Sequence, residues 1–272
     1  MPTRRLPNTI SGVVRTLTTA RDAWKSYPDA RLLTDSHWAK LDPATPASLL
    51  ARLIKEAGDV PLALAAQAPL TDASSRGLAR LTLYVSHFHQ VYDLGVARGI
   101  FTAGGRAYYD REVSTGTLPD LSSAASVLDA ASKIAPGETK RKEKEGAGFI
   151  AMALPSAQEV AAVHAEVAAL HSQSQVAQAF TARQQNELAA FYPEAQKLAT
   201  AICNTVEYRL ENDDASAHLD PSARRRIARL WGVVYLYDQS ETPDEGDTAA
   251  GNTTLAGPGA TPAPGATATP QS

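Results

Sequence analysis

Cysteine is almost missing from this chain of 272 residues: Cys203 stands alone. A single thiol excludes an internal disulfide framework and any multi-cysteine zinc or iron–sulfur site. Aromatic residues make up only 6%. Charge of one sign is also missing, because 26 basic residues face 29 acidic ones. The net charge of -3 excludes the strongly basic balance of a nucleic-acid binder and the strongly acidic one of a charged disordered chain. No run approaches the ~20 apolar residues that a bilayer span requires.

Near the N-terminus, Arg4 and Arg5 are followed by a stretch that Thr9, Ser11, Arg15, Thr16, Thr18 and Thr19 interrupt. A secretory signal needs an unbroken apolar run at that point, so a cytoplasmic location is the default expectation. Export without a leader, or removal of a signal beforehand, would leave no trace.

What is present is alanine and helical periodicity. Ile10, Val13, Leu17, Ala20 and Trp24 recur three or four apart, which predicts a first helix capped by Asn8 or Thr9 and ended by Pro28. Pro46, Pro61 and Pro69 then predict short pieces, over 46–57 with Thr45 as cap and over 62–67. Leu78, Leu81, Val85, Phe88 and Tyr92 form the clearest stripe of the first half, stopped by Gly99 and Gly104-Gly105. Asp120-Leu121-Ser122-Ser123 caps a helix through Val127 and Ala131 that Pro136-Gly137 is expected to break. The alternating charges over 140–145 read as a solvated face.

The second half opens on Ser156 with Glu159 three residues later, a capping box. Val160, Val163, Val167 and Leu170 follow at helical spacing, and the helix is expected to reach Phe191 before Pro193 breaks or kinks it. Leu198, Ile202, Val206 and Leu210 mark a new helix. Leu6-Pro7-Asn8 and Leu154-Pro155-Ser156 echo one another, so the fold class is mainly α: an antiparallel helical bundle, read either as two duplicated hairpins or as a chance echo between Ala-rich helices. Asp220-Pro221 caps a short basic helix over 224–230. Residues 231–237 then read as the one convincing strand, short and C-terminal. Residues 1–238 are the expected bundle domain. Residues 239–272 contain no Lys or Arg, carry Glu241, Asp244, Glu245 and Asp247, and repeat Gly, Ala, Pro and Thr, which predicts a disordered tail.

Several segments look alike to known sequences. Tyr84-Val85-Ser86 with Phe88, Gln90-Val91 and Arg98-Gly99 resembles a segment of uncharacterised bacterial helical-bundle proteins. So do Leu118-Pro119-Asp120-Leu121-Ser122-Ser123 and Arg224-Arg225-Arg226 followed by Trp231-Gly232-Val233-Val234-Tyr235. The resemblance spans most of residues 6–237. It implies a helical fold and carries no activity and no functional residue.

Motifs for chemistry are few. Neither a phosphate loop, nor Gly-x-Ser-x-Gly, nor a His-x-x-x-His pair occurs, so no catalytic, cofactor-binding or metal-ligating residue is assigned and no enzyme reading is built. The basic cluster Arg224, Arg225, Arg226 and Arg229 sits beside Asp213, Asp214 and Asp220, which favours internal pairing over nucleic acid. The expected function is a non-enzymatic structural or protein-interaction bundle, with a second copy or another protein as partner and Trp231, Val233, Tyr235 and Tyr237 as the contact residues. The alternative is a metal- or small-ligand-binding bundle using His87, His89, His164 and His171.

Overall fold

The computed structural model describes residues 2–28, 31–45, 48–216 and 218–237. The tail expected over 239–272 lies outside the described residues. The chain is mainly α. In order come strand β1 (Thr3–Arg5), helices α1 (Ile10–Ser26), α2 (Asp35–Leu41), α3 (Leu49–Ala97), α4 (Ala124–Glu145), α5 (Ala157–Asn212) and α6 (Pro221–Leu230), and strand β2 (Val234–Leu236). A 3-10 turn, Ala103–Tyr109, lies between α3 and α4. Among the described residues no helix is long and apolar enough to cross a membrane.

Three prolines expected to end helices do not, and Pro193, expected to break or kink one, lies within a continuous helix. Pro61 and Pro69 lie inside α3, Pro136 inside α4 and Pro193 inside α5. Each ring forfeits one hydrogen bond to the residue four before it, at ~3 kcal/mol in a helix interior. All four prolines are exposed, so the freed carbonyls lie near water, and the buried stripe continues on both sides of each. Along α5 the buried positions Val160, Val163, Val167, Ser174, Thr181, Gln184, Leu188 and Phe191 keep the heptad steps of three, four or seven. Along α5 that packing offsets the bond that Pro193 forfeits.

The chain divides into two compact units, one Arg52–Pro193 and the other made of the segments up to Ala51 and from Glu194 onward. The boundary falls inside α3 and α5. In the second of these units, α1 is capped by Thr9, whose hydroxyl accepts from Gly12 N at 3.1 Å. It buries Val13, Leu17, Ala20 and Trp24, and Trp24 stacks on Trp38 of α2 with centroids 5.5 Å apart. Leu198, Ile202, Cys203 and Val206 of α5 belong to the same core. Burial pushes the Cys203 thiol up to about 11, so it stays protonated and unreactive.

The expected strand is shorter than residues 231–237. Trp231 closes α6 through its N–H to Ala228 O, and Gly232 turns with φ +92°. A Cβ on Gly232 would sit 2.6 Å from Thr16 O, so only glycine fits where this turn meets α1. β2 then pairs antiparallel with β1, a strand the sequence reading missed: Thr3 lies opposite Leu236, Arg4 opposite Tyr235, and Arg5 opposite Val234.

In the Arg52–Pro193 unit, α3 and α5 run antiparallel. Thr71 Oγ1 lies 3.4 Å from Ser174 Oγ, Ser74 Oγ lies 3.3 Å from His171 Nδ1, and Arg80 reaches Glu166 at 3.5 Å. Leu81, Val85, Phe88 and Tyr92 of α3 pack with Val127 and Ile134 of α4 and with Val160, Val163 and Val167 of α5. Ser156 N and the Glu159 carboxylate close the expected capping box, with Glu159 N on Ser156 Oγ at 3.2 Å. Ser156→Ala is expected to lower the unfolding free energy by about 1 kcal/mol in urea titration, the ordinary worth of such a cap. The duplication echo stops at the two caps: α1 has 17 residues and α5 has 56.

Candidate functional site

The densest polar chemistry lies in the Arg52–Pro193 unit, where α3, the Ala103–Tyr109 turn and α4 meet. The charge run over 140–145 is not uniformly solvated. Arg141 is completely buried, because it continues the stripe of Val127, Ala131 and Ile134 on α4. Gly137 makes the approach possible: a Cβ there would stand 2.5 Å from Tyr108 O, so the turn packs directly on the helix backbone.

Each nitrogen of the Arg141 guanidinium donates a hydrogen bond. Nε donates to Tyr109 Oη at 3.1 Å and to Glu138 at 3.0 Å. Nη1 donates to Glu145 at 2.9 Å. Nη2 donates to Glu138 at 2.7 Å and to the carbonyl of Ile150 at 2.6 Å. Phe101 and Phe149 lie over the guanidinium at 4.9 and 4.6 Å. Such fork-and-stack packing suits arginine and not lysine.

A second knot sits on Asp93 of α3. Arg111 grips it with Nη1–Oδ1 at 3.2 Å and Nη2–Oδ2 at 2.7 Å, and Arg106 Nε adds a bond of 2.9 Å. The same arginines hold the following loop, Arg111 through Thr117 O at 3.1 Å and Arg106 through Val113 O at 2.8 Å. Aromatic rings join the knots: Tyr109 meets Phe88, Tyr92 and His89 edge-on, with centroids 5.2, 5.4 and 6.1 Å apart.

Electrostatics fix the protonation states. Burial, which the Glu138 carboxylate reinforces, holds the Tyr109 phenol far above its ordinary range. Burial works against ionised Glu138, but its bonds from Arg141 and Tyr109 prevail and hold its carboxyl below the usual value. Asp93 is lowered the same way, with Arg111 and Arg106 overcoming burial. Burial pushes Tyr92 up to about 12 and His89 down to about 4. At neutral pH the knots therefore comprise ionised carboxylates, cationic arginines, protonated phenols and a neutral imidazole. A surface cleft of about 280 Å³ lies alongside, bounded by Tyr108, Asp110, Ser132, Lys133 and Lys140.

The histidines are not drawn together. His87 is exposed while His89, two residues on, is buried, as opposite helix faces require. His171 bonds Ser74 and Gln175. Among the described residues no group of three or more His, Cys, Asp or Glu is placed to hold a metal ion. His37, outside that set, sits in the cap of α2 with Thr34.

The four expected contact residues turn toward their own chain. Trp231 and Val233 are buried. Tyr235 Oη donates to Glu207 at 2.7 Å, and Arg4, opposite it on β1, also reaches Glu207. Arg229 lies over the Tyr235 and Tyr237 rings at 5.6 and 5.5 Å. Strand alternation places Leu236 on the other face, where it is exposed.

Asp93, Arg106, Tyr109, Arg111, Glu138 and Arg141 were not singled out from the sequence. One signal for Arg141 was available: it prolongs an apolar stripe and stands three residues after Glu138 and four before Glu145. No protein-family model, curated protein or solved structure matches the chain.

Proposed function

We propose that the chain is a non-enzymatic structural or protein-interaction bundle that associates with further copies through its C-terminal strand. The observation that supports this is the open edge of β2. Among the described residues the sheet has two strands, each bonded to the other on one side, and an unpaired strand edge is a template for another strand. Leu236 on the strand itself is 47% exposed, and Leu6 and Leu230 elsewhere in the same unit are also exposed.

The test leaves the inward face alone. Leu236→Lys puts a charge on the outward face, the usual means by which natural edges are blunted. Light scattering after size exclusion is expected to give the wild type a mass above the 28.8 kDa of one chain and to give the variant a lower mass at an unchanged melting temperature. A single-chain mass for the wild type at every concentration, or equal masses for both proteins, overturns the reading.

A further inference from the structure

We propose that the α3–α5 pair carries a joint, a stretch that opens by itself while the aromatic core of the same unit stays closed. The joint runs over 57–75 on α3 and 174–184 on α5, both within the Arg52–Pro193 unit. It is independent of any contact between copies.

The seam between the helices is thin there. Between Leu53 and Leu81, α3 buries only Ala63 and Ser74. Between Val167 and Leu188, α5 buries only Ser174, Thr181 and Gln184. Val60 and Leu70 are half-buried, and no large apolar side chain is fully buried along either stretch. Parting the helices there brings little apolar surface into water. Past Leu81 the seam changes. Leu81, Val85, Phe88 and Tyr92 meet Val160, Val163 and Val167, and α4 adds Val127 and Ile134. Opening that part would bring large apolar side chains of three helices into water.

The backbone is weakened over the same stretch. Pro61 and Pro69 have no N–H to give to the carbonyls of Ala57 and Ala65. Gly58 stands just before Pro61, and a Cβ on it would meet nothing within 4 Å, so no close approach calls for glycine. A glycine without such a reason only loosens a helix. Ser75 Oγ donates to Thr71 O at 2.9 Å and Thr181 Oγ1 to Ala177 O at 3.0 Å, in competition with the N–H groups of the helices. The contacts that cross the seam are long, 3.4 Å between Thr71 and Ser174 and 3.3 Å between Ser74 and His171. A thin seam, an interrupted backbone and long cross-contacts coincide, and together they define a segment that opens at low free energy.

The test is native-state hydrogen exchange of the full chain, read by mass spectrometry of its peptic fragments. Amides over 57–75 and 174–184 are expected to exchange at least about 100-fold faster than those over 81–92 and 160–167. A second protein carries Gly58→Ala and Pro69→Ala, both at exposed positions of α3. The new N–H at position 69 can bond Ala65 O, and alanine tightens the helix at both positions. Exchange over 57–75 is therefore expected to slow at least about tenfold. Exchange over 174–184 is expected to slow with it, although α5 is unchanged, because the two sides of the joint open together. Equal protection along the whole of α3, or a variant in which either side of the joint keeps its wild-type rate, overturns the proposal.

Discussion

Replacing Arg141 with alanine is expected to lower the unfolding free energy by about 3–5 kcal/mol, the usual cost of breaking a buried ion pair from one side. Glu138 then keeps only the Tyr109 hydroxyl and the Met152 N–H at 3.2 Å. The carbonyl of Ile150 loses the guanidinium, and the rings of Phe101 and Phe149 lose the cation between them. The measurement is a urea titration followed by circular dichroism, alongside a thermal melt in which the midpoint falls by roughly 10 °C. Arg141→Lys separates charge from shape. An ammonium can neutralise Glu138 but cannot fork between Glu138, Glu145 and a carbonyl while lying flat under two rings, so lysine is expected to recover less than half of the loss. A loss below about 1 kcal/mol for the alanine variant would show that the bonds to Arg141 are matched by water in its absence. The knot would then contribute little to the fold.

That arginine also marks where the sequence was legible and where it was not. Periodicity located α1, the buried stripe of α3 from Leu81 to Tyr92, α4's start and the Ser156 cap, because apolar spacing and capping chemistry are local. Three kinds of information were not local. Pro61, Pro69 and Pro136 were read as breaks and Pro193 as a break or kink, because the packing that carries a helix past a proline comes from other helices. Arg141 was read as solvated, because a run of mixed charges does not say which member turns inward. β1 was invisible: Thr3–Arg5 has no strand character of its own and is extended only because β2 lies beside it. The expected contact set fell on the odd-numbered residues from Trp231 to Tyr237, which are the most aromatic. Within the chain, Tyr235 reaches Glu207 of α5 and Arg229 lies over the rings of Tyr235 and Tyr237, contacts made by segments distant in the sequence and so invisible to a local pattern.

His89 entered the sequence analysis only as a candidate ligand-binding histidine, and its burial makes the stability of the chain depend on pH. It is 1% exposed and its Nδ1 has no hydrogen-bond partner. Burial first, then the Arg111 guanidinium, disfavours the imidazolium, and Asp93 only partly offsets them, leaving the group at about 4. In the unfolded chain it titrates near 6.5. The folded form therefore refuses a proton that the unfolded form accepts. Its contribution is complete above pH 6.5, falls as the pH drops from 6.5 to 4, and changes no further below that. The shift of 6.5 to about 4 amounts to about 3 kcal/mol in full, and about 2.5 kcal/mol of it is gone by pH 4.5. Carboxylates lowered in the fold, Asp93 and Glu138, add their own losses at lower pH, and His37, also lowered by burial, acts in the same window. The comparison that isolates His89 is therefore between the wild type and His89→Leu, each titrated with urea at pH 7.5 and about pH 4.5. The leucine fills the space between Phe88 and Tyr109 without a titratable group. The wild type is expected to lose about 2.5 kcal/mol more than the variant between the two pH values. Equal losses would mean that His89 takes up its proton in the folded chain as readily as in the unfolded one, and that the Arg111–Asp93 knot opens to admit the charge.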